Sequence, residues 1–377
     1  MAHRLQRHQT ESPLAFYQVD LASWMRVPEE GNRPLTYREL APKLADYAMR
    51  MGFTHLQLMP VMEHPPGHPY QITGYFAPDS RHGAPQDLMY LIDHLHQHVI
   101  GVILDWVPAH FPAEEPGLAY FDGTQLYERG FCRLALAEDP GACSFDYERG
   151  QVRSFILSNA LFWLEKYHAD GLRLDSLEVM LFLDFALQSG QWVPNPHGGR
   201  ENLAGLDFLK RLNTEVSQRF PDVLRIAQET TAWPMLTHPA QSGGAGFSSK
   251  WDQHFIDQTL DYFSHEPCYR KFHHNKLTQR AGDVFSERFV LPLSHQLVLP
   301  GHNSILARMP GDEWQRFANV RLLLSYLYLE PVPKAGFLAM MEMQLMNVFV
   351  MISYTRHQCQ FTSLACRNPL VQYTPRG

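Results

Sequence analysis

The fold class this sequence predicts is a (β/α)8 barrel, and three observations predict it. Apolar strand-like runs alternate with amphipathic helical runs in unbroken βαβα order, with seven such strands readable. The strands are apolar in the manner of a parallel sheet covered on both faces. No G-x-G-x-x-G follows the first strand, which weakens an open dinucleotide-binding sheet. Alternation does not by itself close the sheet, and the completeness of the eighth strand and helix is left open.

FYQVDLASW (16–24) reads as the first strand. Thr36 and Glu39 have the spacing of a capping box. Behind them Leu40, Leu44, Tyr47, Ala48 and Met51 share one helical face, which Gly52 closes. Pro42 within that helix predicts a kink or a delayed start. HLQLMPV (55–61) is the second strand. Leu88, Leu91, Ile92, Leu95 and Val99 form the stripe of the next helix, which ends at Gly101. GVILDWVPAH (101–110) is the third strand, with its polar residues at the C-terminal end. A long helix over 151–169 leads to GLRLDSL (171–177), and a helix over 201–220 leads to the strand-like RIAQET (225–230). FSSKW and RFVLPLSH supply two later strands, and ARMPGDEWQRFANVRLLLSYLYLE contains a last helix.

Bulk composition narrows the function. Of 377 residues 45% are hydrophobic and 19% charged, which is globular composition. With 32 basic against 39 acidic residues the net charge is -7, which argues against nucleic acid or a membrane surface as partner. The polar start MAHRLQRHQT has no apolar h-region behind it, and no run of 18 apolar residues occurs. Cys132, Cys143, Cys268, Cys359 and Cys366 show neither metal nor disulfide spacing. A cytoplasmic protein with reduced thiols, no metal and no cofactor is expected.

In a barrel, chemistry sits at the C-terminal ends of the strands. Those ends present Asp105 and His110, Arg173 and Asp175, Gln228 and Glu229, and His295 and Gln296. Converging carboxylates, an arginine and histidines, without a phosphate loop, suit carbohydrate chemistry. Among the tryptophans, Trp24, Trp106, Trp163 and Trp233 are possible sugar platforms, with Trp163 better read as core because it sits mid-helix.

The runs HLQLMPVMEHP, YQITGYFAPDSRHGAPQDLMYLIDHLHQHVIGVILDWVPAHFP, DGLRLDSLEVML, GGRENL, IAQETTAWP and MPGDEWQRFANVRLLLSYLY resemble the bacterial 1,4-α-glucan branching enzymes of the α-amylase superfamily. The resemblance extends from about Phe16 to about Glu330. It implies a TIM barrel and a retaining double displacement, in which an α-1,4 chain is cut, held on an Asp and passed to a glucose 6-hydroxyl. It further implies Asp175 as nucleophile with Arg173 keeping it ionised. Asp105 and His110 would shape the subsite at the cleaved bond, and Tyr70 would stack on the sugar. The flank of Tyr70 reads His68-Pro69 where the family has Trp-Gly. Gln228 stands at the family's general acid/base Glu, and Gln296, after His295, at its transition-state Asp.

An amide still hydrogen-bonds but gives up no proton near neutral pH. Loss of general acid catalysis typically costs ~10²–10⁴-fold in rate. Glu229 could replace the acid only with a shifted backbone, because adjacent strand residues face opposite ways. The leading reading is a branching-enzyme homologue of impaired activity acting on α-1,4-glucan. The alternatives are a non-catalytic α-glucan-binding homologue and a hydrolase of the same superfamily. The organisation expected is an N-terminal extension (1–15), the barrel (16–335) and a divergent tail (336–377). The eighth strand should fall near GFLAMM (336–341).

Overall fold

The computed structural model describes residues 14–114, 117–130, 134–136, 140–187, 192–278, 286–294, 304–329 and 348–352. Seven parallel strands lie side by side in chain order: β1 (Ala15–Val19), β2 (His55–Leu58), β3 (Gly101–Trp106), β4 (Gly171–Leu174), β5 (Leu224–Ala227), β6 (Ser249–Trp251) and β7 (Phe289–Val290). An eighth strand, β8 (Val348–Ile352), pairs with the other edge of β1 but runs antiparallel, with Ala15 opposite Ile352. The architecture is therefore a partial (β/α)8 barrel: the parallel order holds through seven strands, and an antiparallel one takes the place beside β1. The expected strand at GFLAMM lies outside the described residues.

Helices α1 (Tyr37–Met51), α2 (Pro85–Gln97), α3 (Gly150–Lys166), α4 (Leu203–Arg219), α5 (Gln253–Ser264) and α6 (Glu313–Leu329) fall between successive strands. The capping box forms as its spacing demands: Thr36 accepts from the Glu39 N–H, and Glu39 accepts from the Thr36 N–H. Gly52 closes α1 at φ 79, in the left-handed region. Pro42 neither delays nor ends the helix. It lies early in α1, and the buried face of Leu40, Leu44, Ala45 and Ala48 holds the helix across the missing hydrogen bond. Val99 does not join the stripe of α2; the helix ends at Gln97, and Val99 turns the chain at φ 61, 55% exposed.

The third strand is also shorter than its apolar run. It stops at Trp106, and Pro108 has no N–H for a ladder. The Tyr75 hydroxyl then donates to the carbonyls of Val107 and His110 at 3.2 and 2.9 Å, and His110–Phe111 join a small sheet with Ser144 and Cys143. Cys143 is disulfide-bonded, against the expectation of reduced thiols, because pairing follows spatial separation and not recognisable spacing. Cys268 is free and exposed.

Side chains alternate across the strands as the pleat requires. Tyr17 faces outward and stacks on Phe53 at 5.1 Å. Phe16, Ile103 and Ile226 pack with Trp251 in one cluster. The neighbouring layer toward the strand ends is polar: Gln18, Gln57, Asp105 and Arg173 are all fully buried. Trp24, Trp106 and Trp163 are core. Trp106 donates to Asn159, and Asn159 and Trp163 both donate to the Tyr75 carbonyl, which ties β3, α3 and the Tyr75 segment together. No helix among the described residues is long and apolar enough to cross a membrane.

A side chain at Gly101 would be driven into the His55 ring, which is fully buried and edge-on to Phe16. Gly101→Ala should therefore cost about 1–3 kcal/mol by overpacking, against about 1 kcal/mol for the lost cap in Thr36→Ala. Urea unfolding checks this; an unchanged midpoint for Gly101→Ala would mean that His55 retreats freely.

Candidate active site

Asp105 sits at the C-terminal end of β3 and is completely enclosed. Three side chains donate to it: Gln18 Nε2 at 2.9 Å, Gln57 Nε2 at 2.6 Å and the Tyr70 hydroxyl at 2.7 Å. Arg173 Nη1 adds an ion pair at 3.1 Å. Burial raises the Asp105 carboxyl above its usual range, and Arg173 and Tyr70 pull against that rise.

Arg173 lies between two carboxylates. Its Nη2 is 2.7 Å from Asp175 Oδ1, just beyond the end of β4, and its guanidinium carbon rests 3.9 Å above the Trp251 ring on β6. The contacts are those of ion pairs; neither meets in-line N–H···O geometry. Burial opposes the charge on Arg173, but Asp105 and Asp175 outweigh it and raise its pKa. Asp175, 5% exposed, has its Oδ2 bonded by the Ser176 hydroxyl at 2.8 Å.

The turn after Asp175 explains what Gln228 does. Ser176 occupies the left-handed region at φ 55, a strained position for a residue with a Cβ. Gln228, at the end of β5, holds it: its Oε1 accepts the Ser176 N–H at 2.9 Å, and its carbonyl accepts the Leu177 N–H at 3.1 Å. An amide oxygen serves this purpose as a carboxylate would. Glu229 points into a different set of partners. Its Oε1 pairs with Lys250 Nζ at 2.6 Å and accepts the Trp233 N–H at 3.0 Å; its Oε2 accepts from the N–H and hydroxyl of Thr231.

The structure thus brings Tyr70, Asp105, Arg173, Asp175 and Gln228 into one connected cluster. His110 is buried beside them with Nδ1 unpartnered; burial lowers it to about 4, so it is neutral, with Asp175 pulling slightly the other way. His295 and Gln296 lie outside the described residues. Among the described residues no group of three His, Cys, Asp or Glu side chains is placed to hold a metal. A cavity of about 240 Å³ opens past the short helix Leu177–Leu181, lined by Arg129, Val179, Phe182, Trp192 and Asn202 among others. A larger depression of about 660 Å³, beside Phe76, Gln151 and Phe155 on α3, contains none of the site carboxylates.

Sequence reasoning did not single out Glu178. It follows Asp175 by three residues, in that short helix, and is 6% exposed. Burial lifts its carboxyl to about 7, with the charges of Asp175 and Glu229 adding to the rise. A lone acid inside the apolar run LEVML was the available signal.

The chain matches the family model of the alpha amylase catalytic domain over residues 40–125. Its fold is similar to an alpha-amylase from Geobacillus thermoleovorans, solved with acarbose, at a TM-score of 0.61 and 17% identity, covering 85% of this chain and 68% of that one. A maltogenic alpha-amylase from Thermotoga neapolitana gives 0.58 and 16%, covering 84% of this chain and 65% of that one. The fold is similar to that of the alpha-amylases, and the family model matches within it.

Curated relatives are more similar in sequence. The 1,4-alpha-glucan branching enzyme GlgB of Aquifex aeolicus is 54% identical over 340 residues, covering 90% of this chain and 54% of that protein. Those of Albidiferax ferrireducens and Myxococcus xanthus are 50% and 48% identical, again over 90% of this chain but 54% and 46% of theirs. The chain is a homologue of the bacterial 1,4-alpha-glucan branching enzymes, and it spans about half the length of the relatives it matches.

Two outcomes follow from the site's electrostatics. Arg173→Met should destabilise by about 3–5 kcal/mol, because two carboxylates are left buried without their cation; thermal or urea unfolding measures it. Glu178 binds a proton more tightly folded than unfolded, so stability present at low pH is lost as pH rises from about 4.5 through about 7. The loss should be on the order of 3 kcal/mol, and Glu178→Gln should flatten it; a wild-type stability independent of pH over that window would contradict the assignment.

Proposed function

We propose that this chain is an α-glucan domain of the branching-enzyme type, with Asp175 as glycosyl nucleophile and an impaired proton-transfer step. The observation that carries the reading is the buried Asp105–Arg173–Asp175 array at the strand ends, with Gln228 clamped to the backbone beside it. A retaining transfer needs a permanently ionised carboxylate to attack the anomeric carbon and a second carboxyl to protonate the departing oxygen. Arg173 supports the first requirement for Asp175. Tyr70, Asp105 and neutral His110 would line the subsite at the cleaved bond, and His295 and Gln296 would complete it. Gln228 cannot meet the second requirement, and Glu229 is held by Lys250 and the 231–233 loop.

Gln228 also favours a second reading, a glucan-binding domain without turnover, since its hydrogen bond to Ser176 preserves the site's shape without a proton to give. Both readings expect maltooligosaccharides to raise the melting temperature by mass action; no shift at millimolar ligand would sink both.

Activated donors separate them. Fluoride leaves without a proton, so an α-glucosyl fluoride should be turned over slowly, and Asp175→Ala should abolish this. The pair Gln228→Glu with Gln296→Asp should raise new α-1,6 linkages on amylose by ~10²-fold or more, and more than the product of the single changes. Branching by the unmodified protein at ordinary enzyme rates of ~1–10³ s⁻¹ would show that residue 228 is not where the acid is needed.

A further inference from the structure

With Asp175 as nucleophile, the site still needs a proton for the leaving oxygen, and Gln228 holds none. Three carboxyl groups gather around the turn that follows β4, and their partners differ. Asp175 is ion-paired to Arg173 and bonded by Ser176. Glu229 is ion-paired to Lys250 and bonded by Thr231 and Trp233. Glu178, 6% exposed, is bonded by the Thr230 hydroxyl at 3.2 Å on Oε1 and by its own backbone amide, while its Oε2 is buried with no hydrogen-bond partner. An unpaired buried carboxylate is strongly disfavoured, whereas a protonated carboxyl is tolerated.

Hydrogen bonds place the segment that carries Glu178 beside the segment that carries Gln228. Gln228 binds the amides of Ser176 and Leu177, and Thr230, two residues beyond Gln228, bonds Glu178. Residues 228–230 and 176–178 therefore lie along each other, and Thr230, which bonds Glu178, is exposed.

Resting on the glycosyl-transfer reading above, we propose that Glu178 is the proton donor for whatever transfer this site performs on unactivated α-glucan. In the first half, an Asp175 oxygen bonds the anomeric carbon as the glycosidic C–O bond breaks. That bond's electron pair stays on the departing oxygen, which takes the Glu178 proton. In the second half, the Glu178 carboxylate takes the proton of the acceptor hydroxyl as its oxygen displaces Asp175, and both carboxyls return to their starting states. The groups facing Glu178 agree with this role. Asp175 and Glu229 both disfavour its ionisation, and a carboxyl lifted to about 7 holds its proton where a general acid is needed.

The test compares two donors at several pH values. Maltoheptaose transfer by the unmodified protein should fall above about pH 7. Glu178→Gln should reduce that transfer ~10²-fold and remove the pH limb, with a much smaller effect on the first-turnover release of fluoride from α-glucosyl fluoride. Because Glu178→Gln is isosteric, the protonated-carboxyl infrared band offers a second measurement; it should be present at about pH 6, lost at about pH 8 and missing from the variant. Fluoride release that depends on Asp175, with oligosaccharide transfer absent or indifferent to Glu178→Gln, would overturn the role of Glu178 alone. Fluoride release absent or indifferent to Asp175→Ala would overturn the glycosyl-transfer reading and this role with it.

Discussion

The guanidinium of Arg173 is the constraint on which the Asp105 and Asp175 pair depends. Two carboxylates, Asp105 and Asp175, are withdrawn from water at the ends of adjacent strands, and removing the cation between them would leave both buried without an ion pair. Arg173 lies between them on the strand that joins β3 to the Asp175 turn, with the face of Trp251 closing the remaining side. Because its guanidinium is shared, the position of one acid is coupled to the position of the other. Gln18 and Gln57, reaching from β1 and β2, extend that coupling across four consecutive strands.

The turn at Ser176 rests on hydrogen-bond acceptors from the neighbouring strand end. A strained left-handed residue persists only where its surroundings over-determine it. Here both oxygens of Gln228, side chain and backbone, capture the amides of the turn. Only a hydrogen-bond acceptor is required for that purpose, so an amide holds the turn as a carboxylate would.

Glu229 and Glu178 illustrate the converse. Both are acids near the end of a barrel strand, yet one is surrounded by an ammonium group, two amides and a hydroxyl, and the other by one hydroxyl and its own backbone amide. The former is ion-paired and pins the loop after β5. The latter is desolvated beside other negative charge, which lifts its carboxyl to about 7. Identical functional groups differ here because of what lies within hydrogen-bond reach.

By itself, the sequence determined the parallel order of the strands, the α1 cap and the placing of Asp105, Arg173, Asp175 and Gln228 at strand ends, because periodicity, capping and strand polarity are local properties. Its apolar runs overstated the third strand and the α2 stripe, since a Tyr75 hydroxyl and a turn at Val99 intervene from outside those runs. Only the tertiary structure decided the direction of the strand beside β1, the disulfide at Cys143, and which acid is ion-paired and which is buried against a hydroxyl. Those outcomes depend on partners far away in the chain: Gln18 reaches Asp105 across 87 residues, and Thr230 reaches Glu178 across 52. A carboxyl's charge is set by the donors and charges packed around it, and that environment exists only once the barrel has brought its strand ends together.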